Sequence, residues 1–372
     1  MNRLSARKAL CLGLLVAALA LAACGPEPPR PRTPAEARAR VELLLPPGVR
    51  DRGGWAKDIQ VAFAALEIEP SDANLCSVLA VTAQESTFSA DPEVPGLPKI
   101  ARAEIVRRAA SLHIPEFFVR AALQVESPDG RTYDERLAKV RTEKQLSDLF
   151  EEMIAEVPLG KRVLGRANPV RTGGPMQVRI AFAQEHARRW PYPYTDAGSM
   201  RDEVFSRRGG MYFGIAHLLG YEASYTQPLH RFADYNAGLY ASRNAAFQQA
   251  ASRVSGTTLA LDGDLVIRER KRGQRVVSAT EMAVRTLGPR LELTDAQIHR
   301  ALAKGARYDF ERTPLYQRLF ALADAQAGLK VPRAVIPRID LESPKITRKL
   351  TTEWFAMRVD QRFRQCMARA NG

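Results

Sequence analysis

A mainly helical fold with a small β part is what this 372-residue chain predicts, on three observations. Apolar residues recur at three- and four-residue spacing between recognisable helix caps over most of its length. Strand-type signals are confined to residues 256–278. No internal repeat, heptad run or second long apolar stretch breaks the pattern.

Residues 1–23 read as an export signal. Arg3, Arg7 and Lys8 form a basic start, and Ala9 to Leu21 form an apolar run shorter than the about 20 residues a permanent span needs. Leu21-Ala22-Ala23-Cys24 looks like a bacterial lipobox, whose Cys24 thiol takes up diacylglycerol. The alternative is an ordinary cleaved signal beside an incidental cysteine. Pro26, Pro28, Pro29, Pro31 and Pro34 then favour an extended, semi-rigid tether. Gly25 rather than Asp follows the cysteine, which by resemblance to Gram-negative sorting rules implies an outer-membrane lipoprotein facing the periplasm.

Helices follow. Over 71–86, Ser71 and Asp72 stand as N-caps, and Leu75, Val78, Leu79 and Thr82 share a face. Over 102–124 the rhythm runs through Ile105, Val106, Ala109, Leu112, Phe117, Phe118 and Ala121, broken near Pro115. Residues 143–156 add another helix. From 257 to 277, Thr257–Leu261, Asp264–Ile267 and Arg275–Val277 read as a small β-meander whose first turn is Asp262-Gly263. Ser278 to Glu281 and Thr294 to Gln297 read as capping boxes, with Gly288 and Gly305 as stops. Thr313-Pro314 opens a helix that ends near Gly328; Ser343-Pro344 opens another through Leu350, Trp354 and Met357 toward Phe363.

Composition narrows the partners. Losing residues 1–23 removes Arg3, Arg7 and Lys8 and no acid, taking the net charge from +14 to +11. A basic balance suits nucleic acid, anionic lipid or an acidic polymer. Export, with no RNA-binding aromatic signature and no zinc-finger spacing, argues against nucleic acid. Cys11 leaves with the signal and Cys24 is assigned to lipid, so Cys76 and Cys366 remain as a candidate disulfide or as two buried thiols. His113, His186, His217, His230 and His299 show no metal-binding spacing, and Asp262 with Asp264 is too little for a calcium loop. No metal or cofactor is expected.

Three short stretches carry the chemistry: Ala83-Gln84-Glu85-Ser86-Thr87-Phe88, Gly173-Gly174-Pro175-Met176-Gln177-Val178, and Ala233-Asp234-Tyr235-Asn236-Ala237-Gly238. In this order they resemble the soluble lytic transglycosylases of the goose-lysozyme-like superfamily, over roughly 71–95 and 168–250. Pro175 departs from that pattern, where Leu is usual. The whole chain also looks like an uncharacterised family of proteobacterial lipoproteins. The first resemblance implies a lysozyme-like α+β domain acting on peptidoglycan glycan strands. It implies Glu85 as the acid that protonates the oxygen between N-acetylmuramic acid and N-acetylglucosamine, then takes the proton of the muramic 6-hydroxyl. The product is the 1,6-anhydro sugar, and no second carboxylate is needed, unlike ordinary glycosidases.

Glu85 falls at a helix C-terminus among apolar neighbours, and both features raise a carboxyl pKa. Ser86, Gly174, Met176, Gln177, Tyr235 and Asn236 are the implied substrate contacts. Glu126, in Gln124-Val125-Glu126-Ser127, is the rival acid, but it runs into the turn Pro128-Asp129-Gly130. The expected organisation is a signal (1–23), a lipidated tether and lead-in helix (24–50), a catalytic domain (51–255) with a helical insertion at about 95–165, and a β-meander with helical extension (256–372). Two other outcomes stay open: a non-catalytic peptidoglycan-binding lipoprotein of the same fold, and a true hydrolase.

Overall fold

The computed structural model describes residues 30–156, 168–267, 270–271, 274–341 and 349–372. The signal, Cys24, the end of the insertion and Ser343-Pro344 lie outside those residues. The fold is mainly helical with a few short strands. No helix among the described residues is long and apolar enough to cross a membrane.

Helices α1 (Pro34–Leu44) and α2 (Arg52–Ala65) pair ahead of α3 (Asp72–Glu85). The insertion supplies α4 (Leu97–Ser111), α5 (Glu116–Leu123), α6 (Tyr133–Leu137) and α7 (Glu143–Glu156). An antiparallel hairpin, β1 (Thr172–Gly173) with β2 (Val178–Arg179), leads into α8 (Ile180–Arg189), α9 (Met200–Phe205), α10 (Arg207–Leu219), α11 (Pro228–Ala237) and α12 (Ala241–Ser255). Beyond the hairpin β3 (Arg270–Lys271) with β4 (Gln274–Arg275) come α13 (Ala279–Thr286), α14 (Gly288–Leu291), α15 (Asp295–Leu302) and α16 (Pro314–Ala327). A last hairpin, β5 (Asp340–Leu341) with β6 (Leu350–Thr351), opens α17 (Thr352–Asn371).

Local signals placed most helices. The Ser71 hydroxyl accepts from Asn74 N–H, and Thr313 accepts from Tyr316 N–H with Pro314 following. Thr294 and Gln297 form a full capping box. Two expectations need correction. Residues 257–267 form no strands; the β part there is the hairpin at 270–275. Gln248 of α12 meets that backbone instead: Gly263 N–H donates to Gln248 Oε1 (2.8 Å), and Gln248 Nε2 donates to Asp264 O (3.3 Å). Leu350 and Thr351, expected inside the final helix, pair instead with Leu341 and Asp340, and the helix described starts at Thr352.

Two apolar cores result. The first gathers Trp55, Phe63, Val78, Met211, Phe213 and Phe232; the second gathers Phe247, Val284, Ile298, Phe310 and Phe320. Helix α17 returns to the first core through Phe355, Ala356 and Val359, so the expected 256–372 block is divided between them. Helix α3 lies at the centre of the first core, with every residue from Leu75 to Thr82 buried. Its buried hydroxyls bond back into the helix, Ser77 to Ala73 O (2.7 Å) and Thr82 to Val78 O (2.9 Å), so neither is left unpaired. Fully burying each of Val78, Leu79 and Val81 contributes about 1.5–3 kcal/mol. That burial fixes where the helix ends, and it ends at Glu85.

Candidate functional site

Glu85 is the last residue of α3 and is half-buried. The chain then turns sharply. Ser86 Oγ donates to Thr82 O (3.2 Å), and Ser89 N–H donates to Ser86 O (3.0 Å). Thr87 (φ 51°) and Phe88 (φ 59°) both adopt left-handed backbone, which costs a non-glycine residue roughly 1–3 kcal/mol. Phe88 is held there edge-on to the buried Trp55, ring centres 5.5 Å apart. Arg207 secures that wall from above: it lies over Trp55 and donates to Asp58 and Asp51 at 2.5 Å each.

The second motif is a hairpin loop. The β1–β2 register leaves Gly174, Pro175, Met176 and Gln177 between Gly173 and Val178. Gly174 has φ 72°, and a Cβ there would sit 1.9 Å from the Val204 carbonyl oxygen. Met176 is fully buried over Gly214, where a Cβ would lie 2.3 Å from the Met176 sulfur. Gly174 and Met176 therefore pack, and neither presents a side chain to an open face. Gln177, at φ 49°, is half-buried; its Oε1 accepts from Thr172 Oγ1 (3.3 Å). Gly174→Ala is expected to destabilise the fold by roughly 2–4 kcal/mol, from the positive φ and the clash together. A urea midpoint equal to wild type would contradict this.

The third motif meets the second directly. Tyr235 Oη donates to the Met176 carbonyl at 2.6 Å, 59 residues away in the chain. Burial, and then the Glu85 charge, push the Tyr235 phenol well above its ordinary value, so Glu85 and Tyr235 lie within electrostatic reach. Asn236 turns elsewhere: its Oδ1 accepts from the buried Thr352 Oγ1 (3.1 Å) and anchors the start of α17. Asp234 stabilises the turn from inside. It accepts from Tyr221 (3.0 Å), Tyr225 and Ser242 N–H (2.6 Å), while burial pushes its carboxyl up.

His217, whose spacing suggested no metal-binding role, stacks edge-on to Tyr235 (5.0 Å) and to Phe182 (4.8 Å). Burial lowers its imidazole to about 4, and its buried Nδ1 has no hydrogen-bond partner among the described residues. Beside it a cavity of about 470 Å³ opens between Tyr235, Phe182 and Arg179 on one side and Asp264, Leu265 and Gly305 on the other. The folded state holds His217 neutral while the unfolded chain protonates it from about pH 6.5 downward. Stability therefore falls with decreasing pH over that window and levels off near pH 4. The wild type should lose roughly 2–3 kcal/mol more than His217→Phe across it. Parallel urea-stability curves for the two proteins would refute the assignment.

The insertion braces the second motif. Buried Asn168 donates to Ser147 O (3.3 Å) and Glu151 Oε1 (2.9 Å) on α7 and accepts from Val170 N–H (3.0 Å). Arg201 joins Ser147 Oγ (3.1 Å) to Val170 O (3.2 Å), and Arg108 reaches Asn168 O (3.3 Å) and Pro169 O (3.2 Å). The rival Glu126 is exposed in a loop bridge to Thr132, and its neighbour Ser127 closes a turn on Asp129 and Arg131. No cluster among the described residues is arranged to hold a metal ion.

A family model described as "Protein of unknown function (DUF1615)" matches residues 48–369. The chain is 51% identical over 357 residues to "Uncharacterized protein YaiW" of Escherichia coli (strain K12), covering 95% of this chain and 96% of that protein. No solved structure matches. These findings correct the family expectation. The match that spans the chain is to this family, and three short motifs do not make the chain a lytic transglycosylase or goose-lysozyme relative.

Proposed function

The chain belongs to the DUF1615 family, whose description supplies no activity, and we propose from its own side chains that it cleaves peptidoglycan glycan strands between N-acetylmuramic acid and N-acetylglucosamine. The observation that carries this reading is the convergence of Glu85, Met176 and Tyr235 from three distant segments. Tyr235 spends its hydroxyl proton on the Met176 carbonyl, which leaves its oxygen as an acceptor. An acceptor beside Glu85 suits a carboxyl that holds a proton until a leaving oxygen arrives. Glu85 gives that proton to the glycosidic oxygen as the C1–O bond breaks. It then takes the proton of the muramic 6-hydroxyl, whose oxygen bonds to C1 and closes the 1,6-anhydro ring. Atoms balance without water, so one carboxylate suffices.

Strained backbone at Thr87, Phe88 and Gln177 flanks the same spot, a cost that proteins commonly retain at working sites. In this reading Gln177, Tyr235 and the cleft beside His217 meet the glycan; Ser86, Gly174, Met176 and Asn236 hold the frame. Lipidation at Cys24, which lies outside the described residues, would tether the enzyme at the outer membrane facing its polymer. A second reading, glycan binding without cleavage, draws on the burial of the Gly174–Met176 loop and the capture of Asn236 by Thr352. Mass spectrometry of purified sacculi after incubation separates the outcomes. Anhydromuropeptides support the proposal, reducing muropeptides replace it with hydrolysis, and sedimentation with sacculi without release leaves the binding reading.

A further inference from the structure

A cavity of about 470 Å³ lies between α3, α17 and the segment joining α1 to α2. Leu79, Ala83 and Phe88 form part of its apolar wall, and Arg362, Gln365 and Arg369 its polar one. None of its lining residues is acidic. Both guanidiniums are partly buried, and among the described residues they bond only to carbonyls. Arg362 donates to Arg358 O (3.3 Å); Arg369 donates twice to Leu44 O (3.3 and 3.0 Å). Neither is paired with a carboxylate among the described residues.

Positive charge accumulates there instead. Desolvation, then neighbouring Arg358 and Arg52, disfavour the charged forms of Arg362 and Arg369 respectively. Arg52 also ends on carbonyls, those of Pro46, Leu45 and Glu42. Several other partly buried arginines meet carboxylates: Arg207 meets Asp51 and Asp58, Arg208 meets Glu203 and Asp196, and Arg136 meets Glu152, whereas Arg231 also ends on carbonyls. Desolvated guanidiniums that converge on a cavity without a counter-charge are a recognition arrangement for an oxyanion, which they grip with charge-assisted hydrogen bonds.

We propose that this cavity binds a small organic anion, its carboxylate or phosphate group seated between Arg362 and Arg369 and its body against Leu79, Ala83 and Phe88. The cavity shares Thr87 and Phe88 with the turn that follows Glu85, but anion binding there does not depend on glycan cleavage. Isothermal titration of the full chain with inorganic phosphate and with N-acetylglutamate, at fixed ionic strength and with chloride as control, tests it. Saturable binding of either probe is expected, and the preferred one identifies the anion class. Arg362→Gln should weaken it about ten- to a hundredfold, and Arg362→Lys should keep part of the affinity. Arg362 is partly exposed, so both variants should melt with wild type. Absence of binding beyond chloride for both probes, or full affinity in a folded Arg362→Gln, overturns the proposal.

Discussion

Glu85→Gln should reduce release of anhydromuropeptides from sacculi by about 10²–10⁴-fold while leaving the fold intact. The amide keeps the shape of the carboxyl and removes only the transferable proton. Glu85 is half-buried at the end of α3, so the melting midpoint should stay within the small range typical of substitutions outside the core. Tyr235→Phe separates support from chemistry: it removes the acceptor oxygen and the bond to Met176 O but keeps the ring on His217, so an intermediate loss is expected. Glu126→Gln alters an exposed loop residue and should leave activity unchanged. An active Glu85→Gln, or an inactive but folded Glu126→Gln, would remove Glu85 from its role.

What the sequence disclosed was local. Ser71 before an apolar run, Thr313-Pro314, and Thr294 with Gln297 specify helix starts within four residues, and each start is observed where expected. Ser343-Pro344 carries the same signal but lies outside the described residues; Leu350 and Thr351, expected within that helix, pair with Leu341 and Asp340, and α17 begins at Thr352. The strands expected over 257–267 fail because Gln248 supplies backbone partners, at Gly263 N–H and Asp264 O, that a neighbouring strand would otherwise provide. The site divides along the same line. Glu85 was legible as the polar end of a buried helix. The Tyr235–Met176 bond, the Asn236–Thr352 bond and the Asn168 brace join residues 59, 116 and 17 or more positions apart, and no local spacing encodes them. Family was the least legible, because short motifs can recur where the full-length match is to another family.

Breaking the Cys76–Cys366 disulfide is the change expected to lower stability most. The two cysteines are bonded, with Cα atoms 5.5 Å apart and 290 positions between them. Both are buried, Cys76 in α3 nine residues before Glu85 and Cys366 in α17. A loop that long restricts the unfolded chain strongly, and chain-entropy reasoning gives roughly 5 kcal/mol as the upper end for such a bond. Helix α17 stays docked without it, since Phe355, Ala356 and Val359 remain in the core and Phe363 still meets Phe232 at 5.9 Å. The Cys76→Ala, Cys366→Ala variant should therefore fold and lose roughly 2–5 kcal/mol, at about 2–4 °C per kcal/mol for a domain of 150–250 residues and less for a longer chain. Loss of the bond frees the unfolded state without moving the end of α3, so glycan cleavage at low temperature should survive while heat tolerance drops. Equal melting of the oxidised protein and the double variant, or two freely alkylated thiols in protein made in an oxidising compartment, would contradict the bond's role as the tie between α17 and the helix that carries Glu85.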